Sequence, residues 1–242
     1  DTEIPGGATC VFSHKQTLFV GLADGRTRTV YVDSGPGQHL ATPRVLARPG
    51  NATSHAISPG GVQHIAVRDH CIAAVAYTQG LPCIFDWRQS RPPSAEEMRA
   101  DSLQASYLSW SECGKLAAIS GGSVRIWDER NFKSPCAYIT GSNVTAFGNV
   151  PPRLPYGDVT AIVWSKNNPS MLNYAVARKD EAGCDIMSAL PCGATAPSRK
   201  RGHTQFCCES LGYVARGKML MGASGSSVAA GGAIRTWKDA LG

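Results

Sequence analysis

Apolar and polar positions alternate along this chain in short runs, and the runs come in threes. The clearest set covers 105–110, 115–120 and 123–128, where Lys115-Leu-Ala-Ala-Ile-Ser120 and Ser123-Val-Arg-Ile-Trp-Asp128 flank the dipeptide Gly121-Gly122. Short alternating runs separated by Gly and Ser predict antiparallel strands joined by tight hairpins. The same unit fits four more times. It covers 8–13, 17–22 and 27–33, with Asp24-Gly25 as a hairpin turn; then 61–66, 71–77 and 83–87. It recurs at 158–165, 171–176 and 184–187, and at 206–208 or 212–214, then 218–222 and 233–237. The positions level with Asp128 are about Asp33, Asp86, Ser188 and Lys238. A single stretch, 94–100, reads as helix, with Ser94 and Glu97 in a capping-box pattern behind Pro92-Pro93.

A unit of this kind cannot bury both of its faces alone, so several must pack around an axis. A Trp-Asp ending on a third strand is the compositional cue for a propeller blade. The expectation is an all-β chain, a single β-propeller of about five blades of short antiparallel strands over 1–242. Trp110, Trp127, Trp164 and Trp237 are expected in its core.

Val159-Thr-Ala-Ile-Val-Trp-Ser165, the Gly114-Lys-Leu turn and Val124-Arg-Ile-Trp-Asp128 resemble the WD40 repeat family. The resemblance covers two units closely and three loosely. Gly-His opens one unit (Gly202-His203) and Trp-Asp closes one. Five units would also be fewer than that family usually uses. The resemblance implies a scaffold for protein partners.

Composition supports frequent turns, with 26 Gly and 15 Pro. The longest apolar runs, such as Ile72-Ala-Ala-Val-Ala76, fall far short of the ~20 residues a spanning helix needs. No membrane span is expected. Lys plus Arg exceed Asp plus Glu by 24 − 18 = 6, which is compatible with acidic partners. The densest basic run, Arg199-Lys-Arg201, reads as a solvated loop, and no aromatic residues interleave with it as stacking platforms. Nucleic acid is therefore not an expected partner. Nine cysteines could form up to four disulfides plus one free thiol, as in an exported protein, or lie unpaired in a β core. Asn51-Ala-Thr53 and Asn143-Val-Thr145 are glycosylation sequons in turn-like contexts. Asp1 opens the sequence with no Met and no apolar leader, which fits a leader removed on export or a trimmed end. Extracellular localisation is slightly favoured over a cytoplasmic or nuclear one.

Chemistry-bearing motifs are weak. Gly212-Tyr-Val-Ala-Arg-Gly-Lys218 matches most of a phosphate-binding loop, but Met219 stands where Ser or Thr should hold Mg²⁺ and a strand pattern follows. His203, Cys207 and Cys208 lack a Cys-x-x-Cys pair to complete a metal site. His70 and Cys71 point to opposite faces if extended. Asp24, Asp69, Asp158, Asp180 and Glu209 could supply the paired acids of a glycosidase, yet most sit where turns favour Asp anyway. No cofactor is expected.

The leading expectation is a non-enzymatic binding module presenting loops to a glycan or protein, with connections 34–59, 89–101, 140–157 and 190–204 as natural contact segments. An intracellular WD40-type scaffold and a glycan-cleaving hydrolase are the alternatives. Arg88, Arg130 and Lys238, placed after third-strand ends, are the candidate binding residues: a ring of cations on one rim, suited to an acidic partner.

Overall fold

The computed structural model describes residues 7–31, 44–46, 60–68, 72–79, 82–86, 105–132, 134–140, 143–146, 157–179, 181–191, 198–214, 219–224 and 233–238. Among them every regular element is a β-strand. The chain divides into two compact units, residues 1–108 with 132–134 and residues 109–131 with 135–242. The expected helix at 94–100 lies outside the described residues.

In the first unit, β1 (Ala8–His14), β2 (Thr17–Leu22), β3 (Thr27–Tyr31) and β4 (Arg44–Leu46) form one sheet in chain order. A second sheet holds β5 (Val62–Val67), β6 (Ile72–Tyr77) and β7 (Cys83–Asp86), again in chain order. All neighbours are antiparallel. The two sheets close on a cluster of Phe19, Val62, Ile65, Val67, Ala73, Val75 and Tyr77. A Cβ at Gly21 would come within 2.5 Å of Val62 and 2.7 Å of the Cys10 sulfur. The bare glycine is therefore what lets β2 approach β5.

The unit boundary falls within β8 (Tyr107–Trp110). β9 (Lys115–Ser120), β10 (Ser123–Asp128), β11 (Ala137–Thr140) and β12 (Asn143–Ala146) follow it in one sheet, ordered β12-β11-β10-β9-β8. β13 (Val159–Trp164), β14 (Leu172–Ala177), β15 (Cys184–Ala189) and β16 (Arg199–His203) form the next. β17 (Ser210–Val214), β18 (Met219–Ser224) and β19 (Ala233–Lys238) form the last. Each sheet is a meander, as the repeating three-strand unit predicts. The fold is all-β.

Turn chemistry explains the register. Gly121 and Gly122 have φ of 56° and 75° and join Ser120 directly to Ser123. Two consecutive positive φ angles make a type I′ turn, whose twist matches that of the strands it connects. At the β8–β9 turn, Ser111 N–H donates to Lys115 O (2.8 Å) and Gly114 N–H to Ser111 O (3.1 Å). The β2–β3 turn repeats this construction, with Leu22 N–H on Arg26 O and Gly25 N–H on Leu22 O.

The second strands are buried on both faces: Ala73–Tyr77 of β6, Leu116–Ser120 of β9 and Leu172–Val176 of β14 are all buried. Among them Ala73, Ala74, Ala76, Ala117, Ala118 and Ala175 are fully enclosed. β18 differs, its residues alternating between buried and half-buried. Trp127 and Trp164 are core residues at 3% and 4% exposure, whereas Trp110 and Trp237 are half-buried.

Several expectations need correction. β11 was not foreseen, and β4, β12 and β16 lie inside stretches read as long connections. Arg199-Lys200-Arg201 is strand β16, not a solvated loop, and Asn143-Val-Thr145 opens β12, where Asn143 faces Thr140, instead of sitting in a turn. Ala189, not Ser188, is level with Asp128, because it pairs with Leu172, the first residue of its second strand. Cys10, Cys113, Cys184, Cys207 and Cys208 carry free thiols, which leaves too few cysteines for a four-disulfide framework. Cys71, Cys192 and the sequon at Asn51 lie outside the described residues.

Two stability predictions follow from this packing. Trp127→Ala should cost about 3–5 kcal/mol in urea unfolding, as expected for deleting a buried aromatic; a loss under ~1 kcal/mol would mean that the ring is not core. His64 stacks on Tyr107, centroids 4.0 Å apart, and its Nδ1 accepts the Leu108 N–H at 3.3 Å. Burial pushes it down from 6.5 to about 4. Between those values the unfolded chain takes up a proton that the native state refuses, so stability falls as pH falls through that window. Going from pH 7 to 5 should cost about 2 kcal/mol through this group. His64→Asn, which keeps an acceptor, should remove that component; an unchanged pH profile would show that His64 titrates normally.

Candidate interaction surface

Within the second unit, one end gathers the β8–β9 turn, the β13–β14 turn and the third-strand ends. The two turns are tied together. Ser111 donates its hydroxyl to Pro169 O, Lys166 pairs with Glu112 at 3.6 Å, and the Cys113 sulfur meets Ser170 Oγ at 3.8 Å. Ser165 Oγ accepts the N–H groups of Asn167 and Asn168 (3.3 and 3.2 Å), which stiffens the β13–β14 turn from within.

Asp128 closes β10 opposite Lys115, and the two form an ion pair at 3.2 Å. The Arg130 N–H also donates to the Asp128 carboxylate, at 3.0 Å. That backbone hydrogen bond, followed by the Lys115 ammonium, holds the Asp128 carboxyl below its ordinary value. The Arg130 side chain stands exposed just beyond. Glu112 and Lys166 are exposed as well, with side-chain accessibilities of 68% and 59%.

A buried polar network lies between these turns and the last sheet. In register, Leu116 faces Trp127 and Leu220 faces Trp237. At the same level of the β14–β15 pair stand Asn173 and Ser188, at 2% and 3% exposure. Ser188 Oγ donates to Asn173 Oδ1 (2.6 Å), Asn173 Nδ2 donates to Tyr213 OH (2.7 Å), and Arg201 Nε donates to Ser188 Oγ (2.8 Å). A second Arg201 nitrogen reaches the Met171 sulfur at 3.4 Å. Polar groups thus replace an apolar pair at a core level, and each is satisfied by the next.

At the other end of this unit, Asp185 takes Arg178 (2.8 Å) and Lys200 (3.0 Å), and Arg178 also takes Glu181. Burial works to raise the Asp185 carboxyl, but the hydrogen bonds from Lys200 and Arg178 outweigh it and hold it below its ordinary value. The basic run is thus partly neutralised inside its own sheet.

Of the expected binding residues, Arg130 is exposed at the surface just described. Lys238 closes β19 opposite Met219, level with Asp128 and two residues short of the Arg130 position. Arg88 lies outside the described residues. Reading charge along the chain missed the acids. Asp128, Glu112 and Lys166 interleave both signs beside Arg130, and the Asn173–Ser188 pair went unnoticed though Asn173 interrupts an otherwise apolar run. Among the described residues no cluster of His, Cys, Asp or Glu could hold a metal ion, and no helix is long and apolar enough to cross a membrane. The described acids considered for glycan cleavage lie apart in sequence context: Asp24 sits in the β2–β3 turn beside Arg26, Asp158 precedes β13 and Glu209 precedes β17.

No family model matches the chain, and no curated protein matches it. Solved structures do. A chain in "Crystal Structure of Mitotic Checkpoint Complex" superposes with a TM-score of 0.61 at 14% identity, over 96% of this chain and 63% of that one. A chain in "COPII on membranes, outer coat vertex" gives 0.64 at 14% identity, over 90% of this chain and 56% of that one. The computationally designed Ika8 protein gives 0.52 at 12% identity, over 96% and 71%. The chain therefore spans about three fifths of the length of the first two. These neighbours share the fold, and it is a β-propeller fold.

The network yields a direct measurement. Tyr213→Phe removes the acceptor for Asn173 Nδ2 and should cost about 1–3 kcal/mol, the usual penalty for a stranded buried donor. No change in unfolding free energy would show that solvent already satisfies Asn173.

Proposed function

We propose that this propeller is a non-enzymatic protein-interaction module, WD40-like in character. The carrying observation is the end of the second unit where short, internally hydrogen-bonded turns hold Glu112, Lys166, Asp128 and Arg130 at the surface. Rigid loops that display charges of both signs suit a folded or extended protein segment, because complementary charge sets register and partner choice more than raw affinity. Two structural neighbours come from a mitotic checkpoint complex and from an outer coat on membranes, which supports the reading by analogy of fold. The Trp127-Asp128 ending supports the WD40-like character. Arg130 and Lys238 are the proposed contact cations on this unit, and Arg88 is their proposed counterpart after β7.

Crosslinking mass spectrometry tests the surface. A lysine-reactive reagent applied to the chain in cell extract should join partner peptides to Lys115 and Lys166, with few to Lys179 and Lys200. Arg88→Ala with Arg130→Ala should weaken the captured complex about tenfold or less, as for rim charges, while leaving Tm unchanged. Crosslinks concentrated on Lys179 and Lys200 would move the surface to the other end.

A further inference from the structure

Three cysteines meet where β15 begins and the segment ahead of β17 crosses it. Cys184 and Cys208 are both fully buried, and Cys207 is exposed. The Cys208 N–H donates to the Cys184 sulfur at 3.2 Å. Thr160 approaches the same sulfur at 3.8 Å and donates its hydroxyl to Cys208 O at 2.5 Å. Thr204 pins the segment, accepting the Cys184 N–H on its hydroxyl (3.1 Å), donating its own N–H to Cys184 O (2.8 Å), and giving its hydroxyl proton to Phe206 O. The Cys208 thiol is turned to Ser210 O at 3.2 Å. The Cys208 N–H on the Cys184 sulfur holds the Cys207–Cys208 peptide against that sulfur, and the Cys184 thiol is one of the groups that raise Cys207, after burial. Cys184 thus has Cys207 as its sulfur neighbour, while Cys208 is occupied elsewhere.

We propose that Cys184 and Cys207 are a reversible oxidation site that closes to a disulfide linking β15 to the segment entering β17. Cys207 alone is open to solvent, so it meets the oxidant. Its thiolate attacks one sulfur of a small disulfide such as oxidised glutathione, breaking the S–S bond and releasing one glutathione thiolate. Cys184 then attacks the Cys207 sulfur, and its proton leaves with the second glutathione, which departs as a thiol. Two protein thiols become one disulfide, and one oxidised glutathione becomes two reduced ones. Burial, with the Cys184 thiol beside it, pushes Cys207 up to about 11, so little thiolate is present near neutral pH and the first attack is slow at low oxidant. The site lies at the end away from Glu112 and Arg130: Cys184 pairs with Ala177 at the far end of β14.

The full chain is incubated with excess oxidised glutathione, digested without reduction, and analysed by mass spectrometry. The expected product is a Cys184–Cys207 linked peptide, lost on adding dithiothreitol. Closing that loop should raise Tm by about 5–10 °C. Cys207→Ser, at an exposed position, should abolish both the link and the Tm rise, whereas Cys208→Ser should keep the link. A stable glutathione adduct on Cys207 with Cys184 still reduced would overturn the proposal. So would a Cys184–Cys208 link, or a Tm rise that survives in Cys207→Ser.

Discussion

Three of the described sheets depend on second strands, β6, β9 and β14, that are buried on both faces. A sheet whose middle strand has no wet side cannot stand alone, since half of its apolar surface would face water. β6, β9 and β14 therefore commit their sheets to being covered on each side, and turns, outer strands and surface charges are arranged around that requirement. These strands each pair with a strand on either side, which gives their backbone polar groups partners within the sheet. A stiff frame results, and loops fixed to it inherit its rigidity.

What could be read from the chain was what repeats. Gly121, Gly122 and Gly25 mark turns because few other residues tolerate their positive φ, and the flanking alternation marks strands. The outer strands were not legible. β16 is Arg199-Lys-Arg-Gly-His203, almost entirely half-buried or exposed, so no apolar period announces it; only pairing with β15 makes it a strand. The slip at Ser188 has a related cause. A Ser–Asn pair stands at the level where other sheets carry Trp and Leu, and matching residue types shifted the frame by one.

The candidate surface was legible only in part. Arg130 could be found from its place after a Trp-Asp ending. Its setting could not, because ion pairs such as Lys115–Asp128 and Lys166–Glu112 join residues far apart in sequence. The alternating signs change the kind of partner such a surface would favour, from a merely acidic one to one that carries both charges in matching order. The buried Asn173–Ser188–Arg201 chain lies just beneath, and it ties the turn at Met171 to the outer strand β16.

The alanines enclosed in the second strands have a consequence for how this sequence can change. Ala73, Ala74, Ala76, Ala117, Ala118 and Ala175 are wholly enclosed, each offering a single methyl group to what packs on it. Shrinking such a side chain removes little, but enlarging it has nowhere to go except by prising layers apart. Tolerance is therefore lopsided at these sites: a drift toward glycine would weaken the chain gradually, while one added branch would be felt across a whole layer. Descendants of this sequence should diverge freely at their turns and outer strands and keep small residues at these six positions.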